Sequence, residues 1–283
     1  MNLQYKLAYL KRIISGYKSC LVAFSGGQDS AFLLKICTQV LPKPSILAVT
    51  AVSATYPKDE LGKARILAKD IGVRLKVIKT AELDNKRFTV NSSQRCYFCK
   101  KELFSRLNVI ARQKKLNFVL DASNISDKLD YRPGDIAKKE LGVKSPLLEA
   151  GFNKRDICKA SRILGLSSWN KPALACLASR VPYGTEITAE LLRRIDQAEL
   201  YLVKLGFKIV RLRHHNELCR IEVGKRDINR LLRKRQAIVD KLKSLGYNYI
   251  TLDLEGYRTG SLNEVINSHN NLLARSVSKL IAR

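Results

Sequence analysis

Residues 25–30, Ser-Gly-Gly-Gln-Asp-Ser, lie between an apolar run at 21–24 and an amphipathic run at 31–40, so they read as the loop of a strand-loop-helix unit. Gly26 and Gly27 let the backbone approach an anion closely, and Ser25 and Ser30 bring hydroxyl donors. The helix that follows adds unpaired N–H groups and the positive end of its dipole. The pattern predicts a cradle for a polyphosphate, with Asp29 just inside the helix as the natural Mg²⁺ ligand. A carboxylate there would also stabilise the helix N-terminus by itself.

No Gly-Lys-Ser/Thr follows, and the G-x-G-x-x-G spacing of dinucleotide sites is absent. S-G-G-x-D-S instead resembles the pyrophosphate loop of the N-type ATP pyrophosphatases, which implies ATP as cosubstrate.

Around this loop the hydrophobic period switches repeatedly between helix and strand. Helices are expected at 2–16, 31–40, 57–71, 100–114 and 156–164, and strands at 19–24, 45–52, 74–79 and 117–121. That alternation defines an α/β protein with a doubly wound parallel sheet. The polar stretch 122–135 then follows the C-terminal end of a strand, where such sheets place ligands, and it offers Asp121 and Asn124 to the nucleotide. Turn formation alone would also select Asp, Ser and Asn there. Residues 167–188 lose periodicity around Pro172, Pro182 and Gly184, which places a junction between a domain at 1–168 and a second at 169–283. The second is expected to be a smaller α/β unit with helices at 189–205 and 227–245, strands at 208–214, 218–223 and 249–254, and a hairpin turned by Asn216 and Glu217.

A chain of 283 residues, 46% hydrophobic, buries a core without staples. It has no apolar run near the roughly 18 to 20 residues of a membrane helix and no leader pattern at its start, so a cytoplasmic protein without a membrane partner is expected. Fifty-two basic against 25 acidic residues give a net charge of +27, which would suit a tRNA partner. The basic residues are nevertheless spread along the chain without a basic-aromatic stripe. Seven cysteines point to thiols or metal ligands rather than disulfides. Cys20, Cys37, Cys158 and Cys219 have apolar surroundings and read as small buried hydrophobes, whereas Cys96, Cys99 and Cys176 do not.

The motifs R-C-Y-F-C-K at 95–100, D-A-S-N-x-S-D-x-x-D-Y-R-P-G at 121–134, K-S-P-L-L-E-A-G-F at 144–152, W-N-K-P-A-x-A-C-L-A-S-R at 169–180 and R-x-R-H-H at 211–215 together resemble the LarE family. These are ATP-dependent sulfurtransferases acting on a pyridinium biscarboxylic acid mononucleotide in nickel-pincer nucleotide synthesis. One departure is Ala122-Ser123, where the family pattern has Gly-Thr. The resemblance implies adenylation of a substrate carboxylate, then displacement of AMP by sulfur to leave a thiocarboxylate. It also implies a homo-oligomer.

By the same resemblance Cys176 is the nucleophile, which in one version of the family surrenders its own sulfur. Arg180 at i+4 and Lys171 upstream would favour its thiolate. A second version holds a four-iron, four-sulfur cluster on three cysteines, and Cys96, Cys99 and Cys176 supply three; the C-x-x-C pair favours this version. Zinc would lack an obvious fourth ligand, and a dithiol relay stays open. Arg211 and Arg213 share one strand face and could grip a phosphate or carboxylate, with Glu222 and Asp253 orienting them. An exposed basic strand would carry the same pattern. His214 and His215 read as structural. A tRNA thiolase and a non-catalytic ATP-binding or iron-sulfur scaffold are the alternatives.

Overall fold

The computed structural model describes residues 2–129, 132–172, 175–258 and 261–263. The chain forms two compact units, one running to Leu177 and including Tyr183–Leu192, the other comprising Ala178–Pro182 and the chain from Arg193. Residues 169–172 and 175–177 thus fall in the first unit, beyond the 168/169 junction expected from the sequence.

In the first unit, α1 (Leu3–Tyr17) starts at Asn2, whose side chain accepts from the Tyr5 N–H at 2.8 Å. Strand β1 (Cys20–Ala23), α2 (Gln28–Val40), β2 (Ile46–Val52), α3 (Glu60–Ile71) and β3 (Leu75–Lys79) then alternate. Two helices, α4 (Lys86–Thr89) and α5 (Arg95–Gln113), precede β4 (Phe118–Leu120), and α6 (Gly134–Glu140), α7 (Pro146–Glu149) and α8 (Lys154–Ile163) complete the unit's long elements. All four strands are parallel, in the order β3-β2-β1-β4, which is the doubly wound α/β arrangement the alternation implies. Alternation along β1 feeds two cores: Cys20 and Val22 join α1, α2 and α8 residues, while Leu21 packs with Phe104, Leu107 and Ile110 of α5.

The second unit contains most of α9 (Ala189–Lys204), the antiparallel hairpin β5 (Val210–His215) and β6 (Leu218–Val223), α10 (Ile228–Arg233), α11 (Arg235–Ser244), and β7 (Tyr249–Leu252), parallel to β6. Asn216 turns the hairpin with φ of 56°. The single helix expected at 227–245 is two, because Lys234 bonds to the Leu231 carbonyl at i−3 and leaves helical geometry. Arg230, Arg233, Lys234 and Arg235 concentrate like charge at that break. Cys20, Cys37 and Cys219 are buried, as their surroundings imply, and Cys158 is partly exposed.

Candidate active site

The candidate residues of the first unit gather where the parallel strands end. The loop after β1 is 24–27, β2 runs into Ser53–Tyr56, β3 into Thr80–Glu82, and β4 into Asp121–Asn124. With β2 and β4 flanking β1, the order reverses at β1, the position at which open α/β sheets open a ligand crevice.

The phosphate loop is internally ordered. Ser25 Oγ accepts from the Gly27 N–H at 3.2 Å and lies 3.2 Å from Ser30 Oγ, which also meets the Gly27 carbonyl at 3.2 Å. Gly26 has φ of +73°, and a Cβ there would come within 2.7 Å of Ala64 Cβ, so the position needs glycine for both conformation and space. Helix α2 has Gly27 as N-cap with no side-chain cap, which leaves its first N–H groups directed at the loop's concavity.

Two neighbours hold this loop from outside. Tyr56 Oη donates to the Ser25 carbonyl at 3.0 Å, and Lys171 Nζ donates to the Gly26 carbonyl at 3.0 Å while pairing with Glu60 at 2.6 Å. Gln28 Nε2 donates to the Trp169 carbonyl. Burial would push the Glu60 carboxyl up, but Lys171 and Lys63 outweigh it and hold it below its ordinary value. Lys171, expected to act on Cys176, is therefore occupied with the phosphate loop, because segment 169–172 lies against it.

Asp29 is the most conflicted group of the site. Burial raises its carboxyl above the ordinary value despite an ion pair with Lys154 Nζ, and Asp127 adds to the rise. Oδ2 takes Lys154 and, at 3.4 Å, Asn124 Nδ2, whereas Oδ1 is buried with no protein partner. A buried carboxylate oxygen left open at a phosphate-binding helix N-terminus fits a Mg²⁺ ligand.

Asp121 differs. Its two oxygens take Lys138 Nζ at 2.8 Å, Ser123 Oγ at 2.6 Å and Ser145 Oγ. Burial acts to raise this carboxyl, but the Lys138 charge and these hydrogen bonds hold it below the carboxylate range. Asp121 thus fixes the β4 turn. Asn124, fully buried, caps the Ser126 N–H through Oδ1 at 3.0 Å and links the β4 turn to Asp29.

Helix α5 begins five residues before the position expected from the sequence, so Cys96 and Cys99 occupy its first turns one i,i+3 step apart, on one face. Gln94 gives no side-chain cap, which removes the usual local signal of a helix start. Cys96 and Cys176 are exposed and Cys99 is partly buried. The Leu177 N–H donates to the Thr55 carbonyl at 2.9 Å, which ties the chain after Cys176 to the loop beyond β2. Burial pushes the Cys99 thiol well above its ordinary value; Lys100 opposes this, and the negative charges of Cys176, Glu82 and Cys96 add to it. The three thiols are therefore electrostatic neighbours. Cys99 Sγ also lies 3.8 Å from Glu82 Oε1, and Glu82 Oε2 is a buried oxygen with no partner. Among the described residues no group of three or more His, Cys, Asp or Glu side chains that could hold a metal ion is found, so the arrangement there does not support the cluster expected on Cys96, Cys99 and Cys176.

The expected arginines belong to the second unit. Arg180 forks onto Glu199 at 2.9 and 2.8 Å, and Arg213 onto Glu222 at 2.9 and 3.0 Å, both guanidinium groups being buried. Arg213 also donates to the Ser179 carbonyl and Ser261 Oγ. Arg211 stacks on the Tyr257 ring at 5.2 Å; burial lowers its pKa, and the charges of Arg180 and Arg213 lower it further. The charges of Arg180 and Arg213 act on Arg211, so the three guanidinium groups are clustered. Glu222 orients Arg213 as expected, while Asp253 instead pairs with Arg220 and Arg258. His214, lowered to about 4 by burial and then by Arg194, stays neutral near neutrality.

Lys138, Lys154, Glu60, Glu82 and Glu199 escape sequence reading. Lys138 and Lys154 meet Asp121 and Asp29 across 17 and 125 residues, and no local pattern marks such pairings.

The sheet order, the loop and the uncapped α2 N-terminus define an α/β enzyme of the ATP pyrophosphatase kind. The NAD synthase family model matches residues 4–130, the span of the sheet and its phosphate loop. The pyridinium-3,5-bisthiocarboxylic acid mononucleotide synthase of Lactiplantibacillus plantarum is 38% identical over 265 residues, 94% of this chain and 96% of that one. An uncharacterized protein of Synechocystis sp. is 41% identical over 93% of this chain and 99% of its own. One from Methanocaldococcus jannaschii is 29% identical over 86% and 92%. The chain belongs to the LarE family of PP-loop sulfurtransferases.

Proposed function

We propose that this protein uses ATP and Mg²⁺ to adenylate a carboxylate of a pyridinium biscarboxylic acid mononucleotide and then converts it to a thiocarboxylate for nickel-pincer nucleotide synthesis. The observation that carries this reading is the phosphate loop itself, with Gly26 held in the left-handed region, the α2 N-terminus without a side-chain cap, and the buried Asp29 Oδ1 left open beside them. The L. plantarum relative, similar over nearly the full length, is named for a bisthiocarboxylic acid mononucleotide product, whose oxygen counterpart would be the acceptor.

A free carboxylate resists nucleophiles because its charge repels them and oxide is a poor leaving group. Attack of a carboxylate oxygen on the α-phosphorus releases pyrophosphate and gives an acyl adenylate, in which the carboxylate charge is gone from the acyl group and AMP is the leaving group. Sulfur then attacks the acyl carbon and AMP departs. In this reading the Ser25–Ser30 loop and the α2 N–H groups would hold the β and γ phosphates, and Asp29 would hold Mg²⁺, which would supply positive charge to the leaving pyrophosphate. Arg211, clustered in the second unit with the glutamate-paired Arg180 and Arg213, would serve an anionic group of the substrate.

Of the two sulfur sources, the paired Cys96 and Cys99 favour a four-iron, four-sulfur cluster with Cys176, since sacrifice of Cys176 alone gives them no role. Such a cluster, when bound, would supply a transferable sulfide. Anaerobic reconstitution with iron and sulfide, followed by turnover with the mononucleotide and ATP, tests the reading. The expected result is a brown protein that releases AMP and pyrophosphate and loses both colour and thiocarboxylate formation in Cys96→Ala. A colourless active protein that becomes lighter by about 34 Da, the mass of H₂S, would transfer the result to Cys176 sacrifice. Absence of AMP and pyrophosphate release with this acceptor would overturn the assignment.

A further inference from the structure

The edge of the parallel sheet farthest from β4 is open. β3 is the last strand in the order, and among the described residues no strand lies beyond it. In the β2–β3 ladder the Ala48 N–H donates to the Arg74 carbonyl and the Thr80 N–H to the Val52 carbonyl, each at 3.1 Å. That parallel register assigns Arg74, Lys76, Ile78 and Thr80 to the inner ladder and turns the backbone N–H and C=O groups of Leu75 and Val77 outward. The upper end of the edge is closed, since Arg106 donates to the Lys79 carbonyl at 3.3 Å.

Two grooves flank this edge. One, of about 540 Å³, has Val73, Leu75, Val77 and Ala68 with Arg65 and Lys69 of α3 as its charged lining among the described residues. The other, of about 330 Å³, runs past Leu75 to Ile46 and Leu116 at the N-terminal ends of the strands, with Arg74, Lys76 and Lys114 as its charged lining. The floors are apolar, and among the described residues the five charged lining side chains are all cationic. This lies along the β3 edge and at the strand ends opposite those that carry the phosphate loop.

We propose that the outer edge of β3 docks an acidic, extended segment of a protein partner, which adds as a fifth strand alongside Leu75 and Val77. Outward N–H and C=O groups at alternate residues give the main-chain pairing, and the side chains of Leu75 and Val77 offer an apolar floor to every second residue of the incoming strand. The acidic residues between them face the other side of the sheet, toward Arg74, Lys76 and Lys114, while Arg65 and Lys69 rim the apolar side and add to the attraction. An exposed strand edge is ordinarily a liability that a protein blunts with lysines; here the cations sit beside apolar grooves, so they select one sign of partner and repel others. The charge argument also disfavours the chain's own terminus, since residues 264–283 carry Arg275, Lys279 and Arg283 against Glu264 alone. Among the described residues no aromatic side chain lines either groove, so base stacking by single-stranded RNA lacks a platform there.

The probe is a short peptide alternating Glu and Val, added to the isotopically labelled full chain and followed through the amide signals of Leu75 and Val77 and through anisotropy of a labelled copy. Saturable shifts confined to β3 and α3 are expected, with affinity falling as salt rises. The double variant Lys69→Glu/Arg74→Glu is expected to bind at least about tenfold more weakly while AMP and pyrophosphate formation stays unchanged. Lys76→Glu/Lys114→Glu serves as a second charge reversal if the first fails to fold. Equal binding of a Lys/Val peptide, or undiminished binding of a Glu/Val peptide N-methylated at alternate residues, would overturn the proposal. So would stronger engagement of the same amides by a single-stranded RNA. A change of oligomeric state in the charge-reversed variants without any peptide effect would assign the edge to a second copy of this chain and also overturn it.

Discussion

Asp29 sits under two opposed forces: Lys154 favours its charged form, and burial, which prevails, disfavours it. A carboxyl raised in the folded state binds protons more tightly there than in the unfolded chain. Stability is therefore lost as pH rises from the ordinary carboxylate range through the raised value, and the full cost persists at neutral pH. Asp29→Asn removes that cost, and half-exposed Lys154 can return to water. The variant should unfold at a higher temperature than the parent without ligands, by a margin that grows with pH and then levels off. Its Mg²⁺-dependent release of pyrophosphate should be abolished. Equal midpoints across the pH range would show that Oδ1 carries no burial cost.

Asp121 has the opposite sign. Held below the ordinary carboxylate value, it contributes stability that is complete above that value and lost as pH falls through its depressed one. Lys138→Met leaves this carboxylate buried without its cation, which costs about 3–5 kcal/mol in urea unfolding at neutral pH. Acid unfolding should begin at higher pH in the variant. Replacing both partners, as Asp121→Leu/Lys138→Met, should recover much of the loss, because no orphaned charge remains.

At the scale of elements, the β1–loop–α2 unit joins sequence and site most directly. Gly26→Ala forces an L side chain to φ of +73° and drives its Cβ against Ala64. A destabilisation of about 2 kcal/mol or more is expected from urea unfolding, together with a rise in the KM for ATP. Adding Ala64→Gly relieves the contact but not the backbone strain, so stability should recover only in part. This unit is legible in the sequence because its strand, glycines and helix follow one another locally. The start of α5 is not: Gln94 provides no cap, and Arg95 is held by Asn91 and by the Tyr183 ring at 4.8 Å, from a segment almost ninety residues later in the chain. The single helix read over 227–245 fails for a related reason, since its apolar period continues through Lys234 while the backbone does not. Residue types at the site could be read from their spacing. Their partners could not, because Lys171 on Gly26 and Glu199 on Arg180 are products of packing.

Over the whole molecule the charge is the dominant fact. A net +27 on 283 residues attracts any polyanion, and the resulting binding follows counterion release. A tRNA thiolase would need more than that attraction, namely discrimination among RNAs and coupling of RNA binding to ATP turnover. If six to ten phosphates are neutralised non-specifically, affinity for tRNA should fall by about 10³ to 10⁵ between 50 and 200 mM salt. An unstructured RNA of equal length should show a similar slope, and neither should stimulate AMP formation. The same charge destabilises the fold by self-repulsion, so the unfolding midpoint should rise as salt is added through the range in which the Debye length shortens from about 30 to 10 Å. Pyridinium mononucleotide turnover should then survive at salt concentrations that remove bound RNA. Retention of tRNA at high salt with tRNA-stimulated release of AMP would instead mean that the charge serves recognition, and would move the acceptor from a carboxylate to an RNA base.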